Sequence, residues 1–291
     1  MTTTDTPPQT RTLEVPGAVL TYDVRPGPAG AGVLFLIASP MGAAGFGSLA
    51  GHFADRTVVT YDPRGSERSR RTDGAAASTP EEHADDLSRL IAEVDAGPVD
   101  VFASSGGAVN ALVLITRHPE QVRTLVAHEP PAAALLPDRE EALAASRHVH
   151  ETYQRSGFGA GMAEFIRVIS HRGPVPADFA DHPADPAAFG LPTEDDGSRD
   201  DVMLGQNIVS CTHHEHDVAA VRAASTRVVV AVGAESAGQL ARRGGEAVAA
   251  ALGVEPVEFP GDHGGFLGGE YGQTGDPEAF AATLRRVLDA G

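Results

Sequence analysis

The 291-residue chain is acidic, with 40 Asp and Glu residues against 22 basic residues and a formal net charge of -18. This charge repels nucleic acid and anionic membrane surfaces, so we expect neither as a partner. Every basic side chain is Arg, because the sequence contains no Lys. Enzymes that need a lysine Schiff base, including pyridoxal-phosphate enzymes, and proteins with a lysine-containing phosphate loop are therefore excluded.

The N-terminus and the cysteine content indicate the setting of the protein. Residues 1–10 have neither the basic start nor the apolar stretch of a secretion signal, so we expect a frayed tail and a cytoplasmic location. Cys211 is the only cysteine, which excludes an intramolecular disulfide and a thiolate metal cluster. We expect a small-molecule substrate, no cofactor and no metal. A homodimer is compatible with the sequence, which leaves the oligomeric state open.

The first half of the chain alternates predicted strands and helices. Residues 12–24 alternate imperfectly and break at Pro16-Gly17, which predicts a hairpin of two edge strands. Continuous apolar runs are typical of strands buried on both faces of a parallel sheet. They predict strands over 32–38, 57–61, 99–102 and 123–127, and apolar residues at helical spacing predict helices over 46–53, 80–94 and 108–117.

The alternation stops after Pro131 and returns near residue 225. The acidic, Ala-rich stretch between them has helical periodicity and no convincing strand. Strands then follow over 227–232 and 254–259, with helices over 239–252 and 277–288. We therefore predict an α/β fold with a mostly parallel sheet, in which residues 1–131 and 225–291 form the core and residues 132–224 an inserted helical cap.

Small residues surround a serine between one buried strand and the next helix, in the turn Ala103-Ser104-Ser105-Gly106-Gly107. A nucleophile raised on a strand-to-helix turn needs strained backbone angles and small neighbours two residues away. The N-terminus of the following helix also directs free N–H groups towards a developing oxyanion. Ser105 is therefore the candidate nucleophile, and we call the turn 103–107 the elbow and the helix that follows it the elbow helix.

Three further motifs occur in order along the chain. Asp62-Pro-Arg-Gly-Ser-Glu-Arg-Ser69 resembles the Asp-x-Arg-Gly-x-Gly-x-Ser turn of the α/β-hydrolase superfamily, and Phe259-Pro-Gly-Asp-His-Gly-Gly-Phe266 resembles its catalytic-histidine loop. The loop Ile37-Ala-Ser-Pro-Met-Gly42 stands where the family has His-Gly-x-Pro-Gly. The His-Glu-Pro-Pro and Pro-Gly-Asp-His-Gly-Gly segments are similar to those of actinobacterial-type members. The resemblance implies an α/β-hydrolase fold with a cap.

His263 is the proposed base, because it follows the last predicted strand, where this fold carries its histidine. The residue that would orient it is open. The usual acid position after the penultimate strand reads Gly233-Ala-Glu-Ser236, with Ser in place of the acid. Glu235 lies one residue earlier, whereas Glu129 follows the strand after the elbow helix, an arrangement that resembles haloalkane dehalogenases. We favour Glu129.

The oxyanion donors are expected to be the N–H of Gly106 and a second N–H from the loop 38–41. Ser39 supplies it if Pro40 aligns with the family's proline, and Met41 is the other candidate in this loop. A shift by one residue would place Pro40 there, which has no N–H.

Three functions are compatible with these motifs. The first, which we favour, is a serine hydrolase of a small ester, thioester or lactone. The altered loop 38–41 motivates a second, a C–C bond hydrolase or a tailoring enzyme for cyclisation or dehydration. The third is a catalytically silent small-molecule binding protein. The segment Cys211-Thr-His-His-Glu-His-Asp217 looks like a metal cluster, but we interpret it as a polar face of the cap.

Overall fold

The computed structural model describes residues 7–290, which form a nine-stranded sheet with helices on both faces. The strands are β1 (Gln9–Val15), β2 (Ala18–Arg25), β3 (Val33–Ile37), β4 (Thr57–Tyr61), β5 (Arg70–Arg71), β6 (Val99–Ser104), β7 (Val122–His128), β8 (Arg227–Gly233) and β9 (Val257–Phe259). The α-helices are α1 (Gly47–Gly51), α2 (Pro80–Val94), α3 (Gly106–Arg117), α4 (Arg139–Ser170), α5 (Ile208–Thr212), α6 (Val218–Ala223), α7 (Leu240–Leu252) and α8 (Pro277–Asp289).

The strand order is β1-β2-β4-β3-β6-β7-β8-β9, with β5 pairing to β2. Strands β3, β4 and β6 to β9 are parallel to one another, while β1 and β2 are antiparallel to their neighbours. The predicted mostly parallel sheet is therefore confirmed. The prediction of two edge strands is wrong for β2, which pairs with both β1 and β4.

Two apolar clusters fill the two faces of the sheet. On one face, α2 and α3 contribute Leu87, Leu90 and Leu112 against the strands. On the other, α1 and α8 contribute Leu49 and Phe280. Because both faces are covered, the parallel strands need no polar face, which explains their uninterrupted apolar sequences.

The segment predicted as a cap, residues 132–224, leaves the sheet after β7 and returns to it at β8. Among its described residues it contains helices, short 3-10 turns and one π-helical turn, Met203–Asn207, and no strand. Its longest helix, α4, is kinked at Gly157, whose φ of 81° suits glycine. None of the helices in residues 7–290 is both long and apolar enough to cross a membrane.

Several element boundaries differ from the sequence prediction, and three of these differences bear on the interpretation. Strand β9 begins at Val257, because Gly253 ends α7 in the left-handed conformation and Pro256 precedes the strand. Helix α3 begins at Gly106, two residues earlier than predicted. Of the predicted frayed tail, residues 1–6 lie outside the described residues, whereas Gln9 and Thr10 pair with β2, so that part of the prediction is wrong.

Candidate active site

Ser105 occupies a strained turn between β6 and α3. Its backbone angles, φ 55° and ψ -129°, are rare for a residue with a side chain. The turn is held because the Ser105 N–H donates to the carbonyl of His128 at 2.9 Å. Close approach explains the two following glycines, since a Cβ on Gly106 would lie 2.6 Å from Ser39 O and one on Gly107 2.6 Å from Ala38 Cα. The sequence pattern thus corresponds to a real steric requirement.

Glu129 and His263 are joined directly. Nδ1 of His263 lies 2.7 Å from Oε2 of Glu129, whose side chain is fully buried. Burial by itself would raise the pKa of Glu129, but the hydrogen bond and the charge of His263 outweigh it and lower this pKa to about 2. A buried, ionised carboxylate fixes the proton of the imidazole on Nδ1 and leaves Nε2 as the basic atom.

The second oxygen of Glu129 is held by the loop after β8. Oε1 accepts a hydrogen bond from the Gly233 N–H at 2.8 Å and another from the Ser236 hydroxyl. Ser236 is the residue that stands at the family's usual acid position, and here it orients the acid supplied by β7. Glu235, the other candidate, is exposed, so the structure does not bring it together with His263.

Ser105 and His263 line the same cavity, which has a volume of about 460 Å³. The hydrogen bond that His263 makes within residues 7–290 is the one to Glu129, and none joins its Nε2 to Ser105 Oγ. Catalytic hydrogen bonds are often long without substrate and shorten when it binds. The imidazole is 40% exposed, so its free side can be reached by substrate and water.

The loop 38–41 packs directly on the first turn of α3. Gly106 is the first residue of α3, so its N–H has no acceptor within the helix. Ser39 is buried, and its carbonyl lies against Gly106, as the steric contact above shows. The Ser39–Pro40 peptide bond is cis. Met41 packs its side chain against Gly45 and lines the cavity. Of the two loop candidates, Ser39 therefore lies nearer to the elbow.

Two residues of the inserted segment reach the elbow, and sequence reasoning missed one of them completely. Nδ2 of Asn207, in the π-helical turn, donates to Ser39 Oγ at 2.9 Å. Cys211 lies beside Gly106, and burial raises the pKa of its thiol to about 12. The thiol is therefore protonated at neutral pH. A π-helical turn has no clear sequence pattern, so nothing in the chain marked Asn207 in advance.

His128 lies beneath His263 in an aromatic cage. It is fully buried among Phe102, Phe259 and Phe280, and its Nδ1 is 3.0 Å from Ser104 Oγ. Burial lowers the pKa of His128 to about 4, an effect that the charge of His263 strengthens and that of Glu129 opposes. The sequence marked His128 only as part of the His-Glu-Pro-Pro segment.

The histidines of the segment 211–217 make separate contacts. His213 Nε2 is 3.0 Å from Ser146 Oγ, and His214 is 3.6 Å from Glu81. In the part of the chain that the structure describes, no group of three His, Cys, Asp or Glu side chains converges as metal ligands do.

The α/β-hydrolase fold model matches residues 33–174 of this chain. An uncharacterised hydrolase of Bacillus subtilis, YraK, is 32% identical over 262 residues, which are 88% of this chain and 89% of the relative. The chain belongs to the α/β-hydrolase family. This confirms the resemblance and the fold predicted from the motifs.

Two solved structures show how widely this α/β-hydrolase shares its fold. A thermophilic esterase from Thermogutta terrifontis superposes with a TM-score of 0.65 at 20% identity, covering 97% of this chain and 98% of the esterase. A carboxylesterase structure from Nitrososphaera gargenis gives a TM-score of 0.59 at 18% identity, covering 87% and 91%. At these identities the likeness concerns the fold.

Proposed function

We propose that this α/β-hydrolase is a serine hydrolase that cleaves an ester, thioester or lactone of a small organic substrate. The observation that carries the proposal is that His263, which lines the same cavity as Ser105, is hydrogen-bonded to the buried Glu129. A strained serine, an oriented imidazole and a free helix N-terminus are the parts that acyl transfer needs.

The reaction follows from these parts. Ser105 Oγ attacks the carbonyl carbon while His263 Nε2 takes the hydroxyl proton, and Glu129 stabilises the imidazolium that forms. The tetrahedral intermediate collapses to an acyl-serine, and His263 gives the proton to the departing alcohol or thiol. Water then attacks the acyl-serine, its proton passing through His263 to Ser105, and the acid leaves.

The oxyanion of the intermediate would be bound by the N–H groups of Gly106 and Ser39. Gly106 offers the unpaired first N–H of α3, and Ser39 lies against it. Pro40, the next residue, has no N–H and cannot serve as this donor.

A serine-directed fluorophosphonate tests the proposal. Intact-mass analysis at about pH 8 should show one adduct, mapped to Ser105 by peptide sequencing, and the Ser105→Ala variant should stay unlabelled. The same enzyme should release nitrophenol from an activated ester with a burst equal to the labelled fraction. Absence of both label and burst in folded wild-type protein would overturn the proposal and favour a binding protein.

A further inference from the structure

Within residues 7–290, the cavity lining contains an acidic side chain but no Arg or Lys. Of the described residues that line it, Asp262 is the only one with a carboxylate and His263 the only one with a basic side chain, and no Arg is among them. Lys is absent from the chain altogether. The cavity thus has no basic side chain, apart from the imidazole committed to Glu129, with which to neutralise a bound carboxylate.

The arginines on the surrounding elements are bonded within the protein. Arg167, on α4, donates to Glu164 Oε2 at 2.6 Å and lies over the ring of Phe179. Arg172 donates to the carbonyl of Glu235 at 3.1 Å, and Arg243 pairs with Asp138. Turning any of them towards the cavity would break a charge-assisted contact, so they do not serve as mobile cations.

Apolar side chains form the side of the cavity under the inserted segment. We name this set the apolar wall: Phe165, Val168, Ile169, Met203, Ile208 and Leu240. Val168, Ile208 and Leu240 are buried, whereas Ile169 is 42% exposed and lies at the open end. His263, which also lines the cavity, is 40% exposed, so a leaving group that it protonates can depart to solvent.

We infer that the cavity selects substrates with an uncharged, apolar acyl group, which lies against the apolar wall, and rejects acyl groups that end in a carboxylate. The inference rests on the proposed function. Its physical basis is that a carboxylate placed against the wall loses its hydration and gains no cation, while an alkyl chain gains burial. Asp262 and the net charge of the protein add repulsion.

Two matched esters test the inference. 4-Nitrophenyl hexanoate and the mono-4-nitrophenyl ester of adipic acid share a six-carbon acyl chain and differ in a terminal methyl or carboxylate. We expect kcat/KM for the hexanoate to exceed that for the adipate by about tenfold or more. Equal values, or a preference for the adipate, would overturn the inference.

A charge introduced at the mouth of the cavity provides the matched comparison. Ile169→Arg should narrow or reverse the preference by raising kcat/KM for the adipate, and Ile169→Gln, which is polar but uncharged, should not raise it. Because exposed charge pairs are screened, the Arg effect should decline as salt is added. An Arg variant that behaves like the Gln variant would contradict the inferred basis of selection.

A binding measurement separates this inference from the proposed function. Hexanamide and the monoamide of adipic acid carry the same chains and need no ester cleavage. Hexanamide should raise the unfolding temperature and the adipic monoamide should not. If phosphonate labelling and turnover both fail while this difference persists, the proposed reaction is wrong and the charge selection stands. Stabilisation by the charged amide alone would overturn the selection, whatever the reaction.

Discussion

His128 stacks on His263, with ring centroids 5.9 Å apart and planes inclined by 24°. Two imidazoles thus lie one above the other beside a single buried carboxylate, and only the outer one reaches the cavity. The burial that keeps His128 neutral has a measurable effect on folding.

The stability of the protein should fall as the pH drops below about 6.5. The pKa of His128 is about 4 in the folded protein, below its value of 6.5 in the unfolded chain. Between these values the unfolded chain binds the proton, so stability is lost as the pH falls through this range. Between these two pKa values, His128→Asn should reduce the slope of the unfolding free energy against pH by about 1.4 kcal/mol per pH unit. Urea denaturation at several pH values measures it.

The control for that experiment is His182→Asn, because the side chain of His182 is 74% exposed. It removes one histidine without touching the aromatic cage. An unchanged slope in His128→Asn would contradict a neutral buried His128.

The two candidate acids should differ sharply when each is replaced by its amide. Glu129→Gln removes the charge that faces His263 and should lower kcat/KM by about 10³- to 10⁴-fold. Glu235→Gln changes an exposed side chain and should leave kcat/KM within about twofold. Ester hydrolysis measures both. A larger loss for Glu235→Gln would reverse the assignment.

An acid placed at residue 236 should replace Glu129 in part. The Ser236 hydroxyl contacts Glu129 Oε1, so a carboxylate there lies close to the imidazole. The double variant Glu129→Gln with Ser236→Asp should recover at least about tenfold in kcat/KM over Glu129→Gln. Ser236→Asp alone puts two carboxylates together and should lower the unfolding temperature. No recovery in the double variant would mean that residue 236 cannot reach His263.

The strained turn should cost stability that glycine recovers. Ser105 has a φ of 55°, so Ser105→Gly should be more stable than Ser105→Ala by about 1 kcal/mol. Both variants should lose phosphonate labelling, and both should lose ester turnover. Denaturant unfolding of the two variants measures the difference. Retained turnover of a natural substrate by Ser105→Ala would instead favour C–C cleavage or a tailoring reaction.

Asn207 should affect the rate through Ser39. Asn207→Ala removes the hydrogen bond to the Ser39 hydroxyl, so the loop proposed to bind the oxyanion is held less firmly and kcat should fall by about tenfold. Thr212→Val is the matched control, because Thr212 also lines the cavity but its hydroxyl donates to the Ile208 carbonyl of its own helix. Equal effects of the two changes would argue against a specific role for Asn207.

The sequence predicted the parts of this protein that depend on local patterns. Buried parallel strands read as apolar runs, and the small residues around Ser105 reflect contacts that leave no space for a Cβ. The residue that orients His263 stayed open, because Glu129 and Glu235 follow neighbouring strands, β7 and β8, and only packing shows which one turns inward. Asn207 could not be predicted, since its contact with Ser39 joins residues 168 positions apart.

The position of Glu129 also affects which segments of this chain can be exchanged with those of related proteins. Ser105 and Glu129 directly follow adjacent strands, β6 and β7, and both precede residue 132. An acid that followed β8 would lie beyond the segment 132–224, so this segment would stand between the acid and the nucleophile along the chain. As it is, an exchange of that whole segment between relatives leaves the Ser105 and Glu129 pair on one continuous piece of chain. The part that forms the apolar wall, apart from Leu240, could therefore be recombined as a unit, and a chimera would test new acyl preferences on an unaltered serine and acid.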